Sequence, residues 1–148
     1  MWLLVEDRGG GAGIDANSLD SHVFIWVKTP PENLTDEARA AIIDPANDVY
    51  ISVASAWELW LKHAKKPITA VAPILNGGAA SLLEACKASG IAMLEITLEH
   101  AATAAALPHI HRDPFDRMLI AQAIVERLTT MTDDPAFRGY KRLRVFGA

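Results

Sequence analysis

Four acidic residues in distant parts of this 148-residue chain stand where their carboxylates could act together: Asp20, Glu58, Asp116 and Asp134. Carboxylates that converge repel one another, so they need a cation between them. The chain has one cysteine and five histidines, and a set of oxygen ligands favours Mg²⁺ or Mn²⁺ over Zn²⁺. A divalent ion can activate water and stabilise charge on a phosphoryl oxygen. The pattern therefore predicts hydrolysis of a phosphodiester bond.

Each acid also has a local structural explanation. Glu58 could pair with Lys62 one helical turn later, which is worth only ~0.2–0.5 kcal/mol. Asp113 is suited to cap a helix that begins at Pro114, and Asp116 could serve the same helix end. Turn chemistry could explain the remaining two, Asp20 and Asp134. The spacing alone therefore leaves both convergence and purely local roles open.

Two other residue types with metal chemistry are present. His109 and His111 lie two residues apart and could form a zinc pair, but no third ligand stands nearby in the sequence. Cys86 lies in an apolar stretch with helical spacing, so we expect a buried structural thiol.

The elements that must position the acids alternate along the chain. Five segments have the length and composition of strands: 14–19, 49–53, 91–96, 129–132 and 143–146. Helices are expected at 54–65, 79–89, 98–107 and 114–127, with a loop at 67–78. The helix at 54–65 should bury the face formed by Trp57, Trp60, Leu61 and Ala64. This alternation predicts an α/β fold with a mostly parallel central sheet of four to five strands flanked by helices.

The predicted sheet explains why distant acids could meet. In open parallel sheets, functional groups gather beyond the carboxyl ends of the strands. Asp20 and Asp134 follow the first and fourth predicted strands, and Glu58 lies in the helix that follows the second. If these strands are neighbours, the carboxylates share one edge.

The N-terminal segment does not fit this alternation. Residues 1–5 are apolar, but charged residues and a glycine-rich run follow, so residues 1–13 are expected to be a flexible lead-in before a domain at 14–148. Asp15, Asn17 and Ser18 interrupt the expected first strand. Either that strand is frayed, or an insertion has displaced residues 1–5 from its place.

Net charge and hydropathy narrow the function classes. The formal net charge of −4 argues against binding nucleic acid by bulk electrostatics alone. Two basic groups, which could be solvated faces, stand out: Lys62, Lys65 and Lys66, and Arg138, Lys141, Arg142 and Arg144. No apolar run approaches the ~20 residues of a membrane span, and no signal-peptide pattern opens the chain, so a cytoplasmic protein without membrane contact is expected.

Four segments resemble the motifs of PIN-domain proteins, and in particular the VapC-type toxins of bacterial toxin–antitoxin pairs. They are residues 19–23 (LDSHV), 55–58 (SAWE), 112–123 (RDPFDRMLIAQA) and 132–137 (TDDPAF), in the order that the family has them. The resemblance runs from about residue 18 to the C-terminus, and the segment at 112–123 is its most specific part.

The resemblance implies a PIN-like three-layer fold and a Mg²⁺- or Mn²⁺-dependent endoribonuclease acting as a type II toxin. It assigns metal binding and catalysis to Asp20, Glu58, Asp116 and Asp134. Ser21 corresponds to a hydrogen-bonding residue that supports the site, and Asp113 is a helix cap first and an outer-shell ligand second. Asp133 stands beside the matching position.

The resemblance also implies partners: an RNA substrate, a cognate antitoxin that covers the toxin with a basic side chain directed into the acidic site, and a second copy in a homodimer. An arginine in the site would compete with metal and substrate for the same charge. Exposed apolar surface at Trp26 or Trp60 could serve the dimer contact, although either could be core.

Two alternatives remain beside the ribonuclease. One is a catalytically inactive PIN-like module that only binds a protein partner. The other, less favoured, is a phosphoacceptor receiver domain, which needs paired acids at the end of the first strand and a lysine after a late strand. Asp20 is followed by Ser21 and His22, and no lysine follows residue 146.

Overall fold

A five-stranded sheet forms the centre of the computed structural model, which describes residues 3–7, 36–37, 40, 44, 46–132 and 135–146. The strands are β1 (Leu3–Asp7), β2 (Asn47–Ser52), β3 (Ile91–Leu94), β4 (Thr129–Met131) and β5 (Arg144–Phe146), in the spatial order β3-β2-β1-β4-β5. β3 pairs parallel with β2, β5 pairs parallel with β4, and β1 runs antiparallel to both β2 and β4. Four strands therefore point the same way, as the expected mostly parallel sheet requires.

The middle strand comes from the segment that the sequence predicts to be a lead-in. Leu3–Asp7 pairs along its whole length with β2, from Leu3 opposite Ile51 to Asp7 opposite Asn47, and on its other side with β4. That prediction is wrong for residues 3–7, because pairing on both sides supplies hydrogen bonds that composition cannot reveal. The strand predicted at 14–19 lies outside the described residues.

From residue 46 onward, where the structure describes all but residues 133–134 and 147–148, five helices connect the strands: α1 (Val53–Lys65), α2 (Ala72–Asn76), α3 (Gly78–Ala88), α4 (Leu98–Ala106) and α5 (Pro114–Val125), with a 3-10 helix at Pro135–Gly139. The expected helices at 54–65, 79–89, 98–107 and 114–127 are thus confirmed within a few residues. The loop expected at 67–78 is wrong in part, because α2 lies within it. This short helix starts with Pro73 in its first turn, buries Leu75 and accepts a hydrogen bond from the Trp60 indole at the Leu75 carbonyl (3.1 Å).

The buried face of α1 differs from the predicted one. The helix buries Ala54, Ser55, Ala56, Glu58 and Leu59, whereas Trp57 and Leu61 are exposed. Small side chains in the first turn let the helix approach the sheet closely, which turns the larger residues outward. Trp60 is half-buried and packs against the core, while Trp26 lies outside the described residues.

The order of the strands creates a switch point at β1. From β2 the chain moves outward to β3, and it then crosses to the other side of β1 to form β4 and β5. Right-handed crossovers, the rule for parallel strands, place α1–α3 on one face of the sheet and α4–α5 on the other. Ligands in such sheets bind beside the switch point, at the carboxyl ends of the strands.

The core lies between the sheet and these helices. Its largest fully buried side chains are Ile51, Leu59, Leu82, Leu119, Ile120 and Phe137. Cys86 belongs to the same core at 1% exposure, as expected for a structural thiol. No helix in the part of the chain that the structure describes is long and apolar enough to span a membrane.

Candidate metal centre

Helix α1 carries the first acid of the site. It begins directly after β2, and the Ser52 side chain caps it by accepting a hydrogen bond from the Ala54 amide (3.0 Å). Glu58 then projects from the second turn, near the carboxyl edge of the sheet, and is only 8% exposed. Its Oε1 lies 3.3 Å from Lys62 Nζ, so the local ion pair considered for this residue is present.

Helix α5 supplies two further acids at its N-terminus. Asp113 is the N-cap, and its Oδ1 accepts a hydrogen bond from the Phe115 amide (2.9 Å); Pro114 follows in the first turn, where no amide hydrogen is needed. Asp116 lies in the same turn. Because α5 leads into β4 and runs opposite to it, this N-terminus lies at the carboxyl edge of the sheet.

The two helix segments bring three carboxylates together. One oxygen from each of Glu58, Asp113 and Asp116 lies within 4.8 Å of the other two. At this separation each pair of negative charges repels by about 3 kcal/mol at an effective dielectric constant of about 20. The positive end of the α5 dipole relieves part of that repulsion.

The donor set fits a hard divalent cation. Glu58 and Asp116 would hold one Mg²⁺ or Mn²⁺ through carboxylate oxygens, the ligand type that these ions prefer. All three groups are oxygen donors, and Glu58 is buried, a place where a carboxylate needs compensation. Mg²⁺ keeps several waters and takes only one or two carboxylates directly, which leaves room for an acid that acts through water.

Side chains of the protein offset some of this charge. Lys62 contacts Glu58, and His111 Nε2 lies 3.1 Å from Asp116 Oδ2. The His111 ring also packs edge-on against Phe137, with ring centroids 5.3 Å apart, which holds it in place. The contact between His111 and Asp116 is not evident from sequence spacing, because it depends on the turn that precedes α5.

That turn is held by two residues that the sequence reasoning missed. The Arg117 guanidinium donates hydrogen bonds to the carbonyls of Ala104, Leu107 and Pro108 at 2.9–3.0 Å and to that of His111 at 3.4 Å. The Tyr140 hydroxyl accepts from the His111 amide (2.7 Å). An arginine directly after Asp116, facing a proline-containing turn, was the available signal.

The remaining predicted site residues are Asp20, Ser21 and Asp134, with Asp133 beside them, and they lie outside the described residues. Their roles stay predictions. His109 is exposed, and among the residues that the structure describes, neither His109 nor His111 joins a group of three possible metal ligands. The zinc pair gains no support.

A cleft adjoins the three carboxylates. It has a volume of about 490 Å³ and lies between α1 and the start of α5; its lining includes Glu58 and Asp113, the basic residues Lys62, Lys65 and Arg112, and the apolar residues Leu61, Pro114 and Phe115. The acidic group therefore adjoins a cleft that is also lined by basic residues.

Comparison with known proteins agrees with this geometry. No curated protein matches the chain. A family model described as "PIN domain" matches residues 18–143, which is most of the sequence and includes every residue of the acidic group. This family typically comprises metal-dependent nucleases, and three acids converge here at the edge of the sheet where such a site belongs. The chain therefore belongs to the PIN domain family.

Proposed function

We propose that this protein is a Mg²⁺- or Mn²⁺-dependent endoribonuclease that acts as the toxin of a type II toxin–antitoxin system. The observation that carries the proposal is the convergence of Glu58, Asp113 and Asp116 within 4.8 Å in a PIN domain. Three acids from two separate helices have no common structural task that would require them to meet.

The proposed division of labour follows from burial and contacts. Glu58 and Asp116 hold the ion, and Asp113, committed to capping α5, contacts it through water. When bound, the ion supplies an activated water and stabilises charge on a phosphoryl oxygen. His111 orients the Asp116 carboxylate by a contact at 3.1 Å, and the Lys62 ammonium offsets part of the charge on Glu58.

Asp20 and Asp134 complete the proposed site, with Ser21 supporting it by hydrogen bonding. Strand β1 ends at the sheet edge opposite the acidic group, since Asp7 pairs with Asn47 at the start of β2. The chain must therefore return over a strand length of about 17 Å before Asp20 can take part. The thirteen steps from Asp7 to Asp20 could span about 40 Å when extended, so the connection is long enough.

Cleavage of RNA with and without EDTA tests the proposed activity. We expect single-stranded RNA to be cut internally with Mg²⁺ or Mn²⁺ and to stay intact with EDTA. Asp116→Asn and Asp20→Asn should abolish cleavage while the protein stays folded, and Glu84→Gln, an exposed acid on α3, should cleave normally. Metal-independent cleavage, or full activity of Asp116→Asn, would contradict the proposal.

The toxin role, its antitoxin partner, the homodimer and the cytoplasmic location rest on the resemblance to VapC-type proteins. An acidic site open to solvent suits inhibition by a basic side chain of the antitoxin. Expression of the chain alone should arrest growth, and co-expression of the small protein encoded beside its gene should restore growth. Growth arrest that persists in Asp116→Asn would show toxicity without nuclease chemistry.

One observation favours the second candidate, a PIN-like module without catalysis that engages a protein partner. Lys62 already offsets charge on Glu58, and His111 contacts Asp116, so both carboxylates have partners without an ion. Titration with Mn²⁺ while thermal unfolding is followed separates the two. A Tm that keeps rising with the logarithm of the Mn²⁺ concentration supports the enzyme, and an unchanged Tm supports the module.

A further inference from the structure

The exposed face of α1 carries a stripe that the metal centre does not use. Val53, Trp57 and Leu61 follow one another at four-residue spacing and are 40%, 59% and 43% exposed, and Lys65 continues the row one turn later. Side chains spaced in this way share one face of a helix. Apolar residues on a solvent-facing stripe beside an acidic site call for an explanation, because α1 buries other residues in the core.

Trp57 is the centre of this stripe and lies next to the acidic group. It directly precedes Glu58, and its ring meets Phe115 of α5 edge to face, with ring centroids 5.1 Å apart and an interplanar angle of 66°. This contact fixes the orientation of the indole while leaving more than half of the side chain exposed. A rigid, exposed aromatic ring is a surface on which a nucleic-acid base can stack.

Positive charge lies on the same side. Lys65 and Arg112 are both exposed and line the cleft that Phe115 and Glu58 also line. The lining of the cleft thus combines acidic residues (Glu58 and Asp113), apolar residues (Leu61 and Phe115) and basic residues (Lys65 and Arg112). A phosphate chain entering an acidic metal site needs this arrangement of charge, because the acids alone repel it.

We propose that the cleft between α1 and the start of α5 binds one nucleotide of a single-stranded RNA next to the scissile bond. Its phosphate contacts Lys65 and Arg112. Its base stacks on Trp57, which does not line the cleft itself but packs against the lining residue Phe115. This assignment rests on the ribonuclease function proposed above and adds the residues that hold the substrate beside the acids. An unpaired segment is required, since bases in a duplex are not free to stack on a side chain. Complementary charge favours RNA over a protein as the occupant of the stripe.

Binding measured without catalysis tests the assignment. The full-length Asp116→Asn protein is titrated, without divalent metal, into a fluorescein-labelled short single-stranded RNA of mixed sequence and into the same sequence as a duplex. Adding Trp57→Ala should weaken single-strand binding between about fivefold and about a hundredfold, whereas Trp57→Phe should keep most of it. Duplex binding should change little. Leu98→Ala, which removes an even more exposed apolar side chain from α4, is the matched control.

The charged residues give a second, independent readout. Lys65→Ala and Arg112→Ala should each lower the slope of log affinity against log salt by about 0.7, while Lys87→Ala, an exposed lysine on α3, should leave it unchanged. Both sites are exposed, so these variants should fold even if Trp57→Ala does not. In active protein with Mn²⁺, Trp57→Phe should raise KM more than it lowers kcat.

The outcomes separate this proposal from the function on which it rests. Suppose that the wild type cleaves RNA but the variants bind single-stranded RNA as tightly as their controls; the variants are Trp57→Ala, Lys65→Ala and Arg112→Ala. This result overturns the cleft assignment without contradicting the proposed ribonuclease activity. Absence of both cleavage and binding in the wild type overturns both. If Trp57→Ala turns a dimer into a monomer that still binds RNA as well as before, the stripe is a protein interface and the assignment is wrong.

Discussion

At the scale of single residues, Asp113 has two roles that substitution can separate. Its Oδ1 accepts the Phe115 amide as the cap of α5, and its carboxylate lies in the acidic group. Asp113→Asn keeps the accepting oxygen, so we expect the free energy of unfolding to change by less than about 1 kcal/mol. Asp113→Ala loses the cap and should cost about 1 kcal/mol or more.

Affinity for Mn²⁺ then reports on the second role. If Asp113 acts through water, both variants should bind Mn²⁺ only a few-fold more weakly, whereas Asp116→Asn should lose most of its affinity. Isothermal titration of the metal, with urea unfolding of the same samples, makes the comparison. Loss of Mn²⁺ binding in Asp113→Asn as complete as in Asp116→Asn would make Asp113 a direct ligand.

Lys62 provides the opposite test, because it adds positive charge beside Glu58. It is half-exposed and 3.3 Å from the carboxylate, so the pair contributes no more than about 0.5 kcal/mol to stability. A cation within a few ångströms of a doubly charged ion should, however, weaken metal binding clearly. We expect Lys62→Gln to bind Mn²⁺ up to about tenfold more tightly at low ionic strength, and this gain should shrink as salt is added. Weaker binding would mean that Lys62 supports the site in another way.

At the scale of elements, Arg117 joins α4, the turn after it and α5. Its four carbonyl partners include Ala104, in the last turn of α4, and Leu107, just after the helix. Carbonyls at the end of a helix have few backbone amides to accept from. Arg117→Ala should therefore reduce the free energy of unfolding by about 2–4 kcal/mol, since hydrogen bonds to a charged donor are stronger than average. Arg117→Lys should recover little, because an ammonium cannot reproduce the planar fork.

Urea unfolding of Arg117→Ala and Arg117→Lys measures this, with Arg112→Ala on the neighbouring exposed position as the control. The two Arg117 variants, but not the Arg112→Ala control, should bind Mn²⁺ more weakly, because His111 and Asp113 lie in the turn that Arg117 holds. If Arg117→Ala is as stable as Arg112→Ala, hydrogen bonds from water to these carbonyls stabilise the fold as well as those from Arg117 do.

The elements also show which information the sequence contains. The cap of Asp113 followed by Pro114 marks the start of α5 correctly, and proximity of Glu58 to Asp116 follows from placing both at one edge of a parallel sheet. The exposure of Trp57 could not be predicted, since its spacing fits a buried face as well as an open one. Only the close approach of Ala54–Ala56 to the sheet decides which face turns inward.

Contacts between distant parts of the chain also decided the structure of α2 and β1, which the sequence analysis did not predict. Residues 72–76 form a helix because Leu75 is buried and the Trp60 indole binds its carbonyl, contacts that lie far along the chain from the local turn signals. Tertiary packing thus produced a helix within the segment that was expected to be a loop. Long-range pairing likewise placed an acidic, glycine-flanked strand at the centre of the sheet.

At the scale of the whole molecule, the sheet is divided by a strand of opposite direction. β2 and β3 form one parallel pair, β4 and β5 form the other, and β1 joins the two. Glu58 follows β2, whereas Asp116 belongs to the helix that leads into β4. The acidic group therefore joins parts of the chain on opposite sides of β1, so the integrity of the site depends on the middle strand.

This dependence predicts that the first residues are essential for folding. Deletion of residues 1–7 removes every backbone partner between β2 and β4, so we expect a chain without a cooperative unfolding transition. Val5→Pro should be strongly destabilising, by about 3 kcal/mol or more, because Val5 pairs with Val49 on one side and Thr129 on the other. Val5→Thr keeps the amide hydrogen and a strand-forming side chain, so it serves as the matched control.

Circular dichroism during heating, together with Mn²⁺ binding, measures both effects. Mn²⁺ binding should be lost along with the fold, because Glu58 and Asp116 are then no longer held close together by the sheet. If the deleted chain unfolds cooperatively at the original Tm and still binds Mn²⁺, another segment must be able to occupy the middle of the sheet. The strand predicted at 14–19 is the candidate, and it would bring Asp20 to the carboxyl edge as the end of a parallel strand.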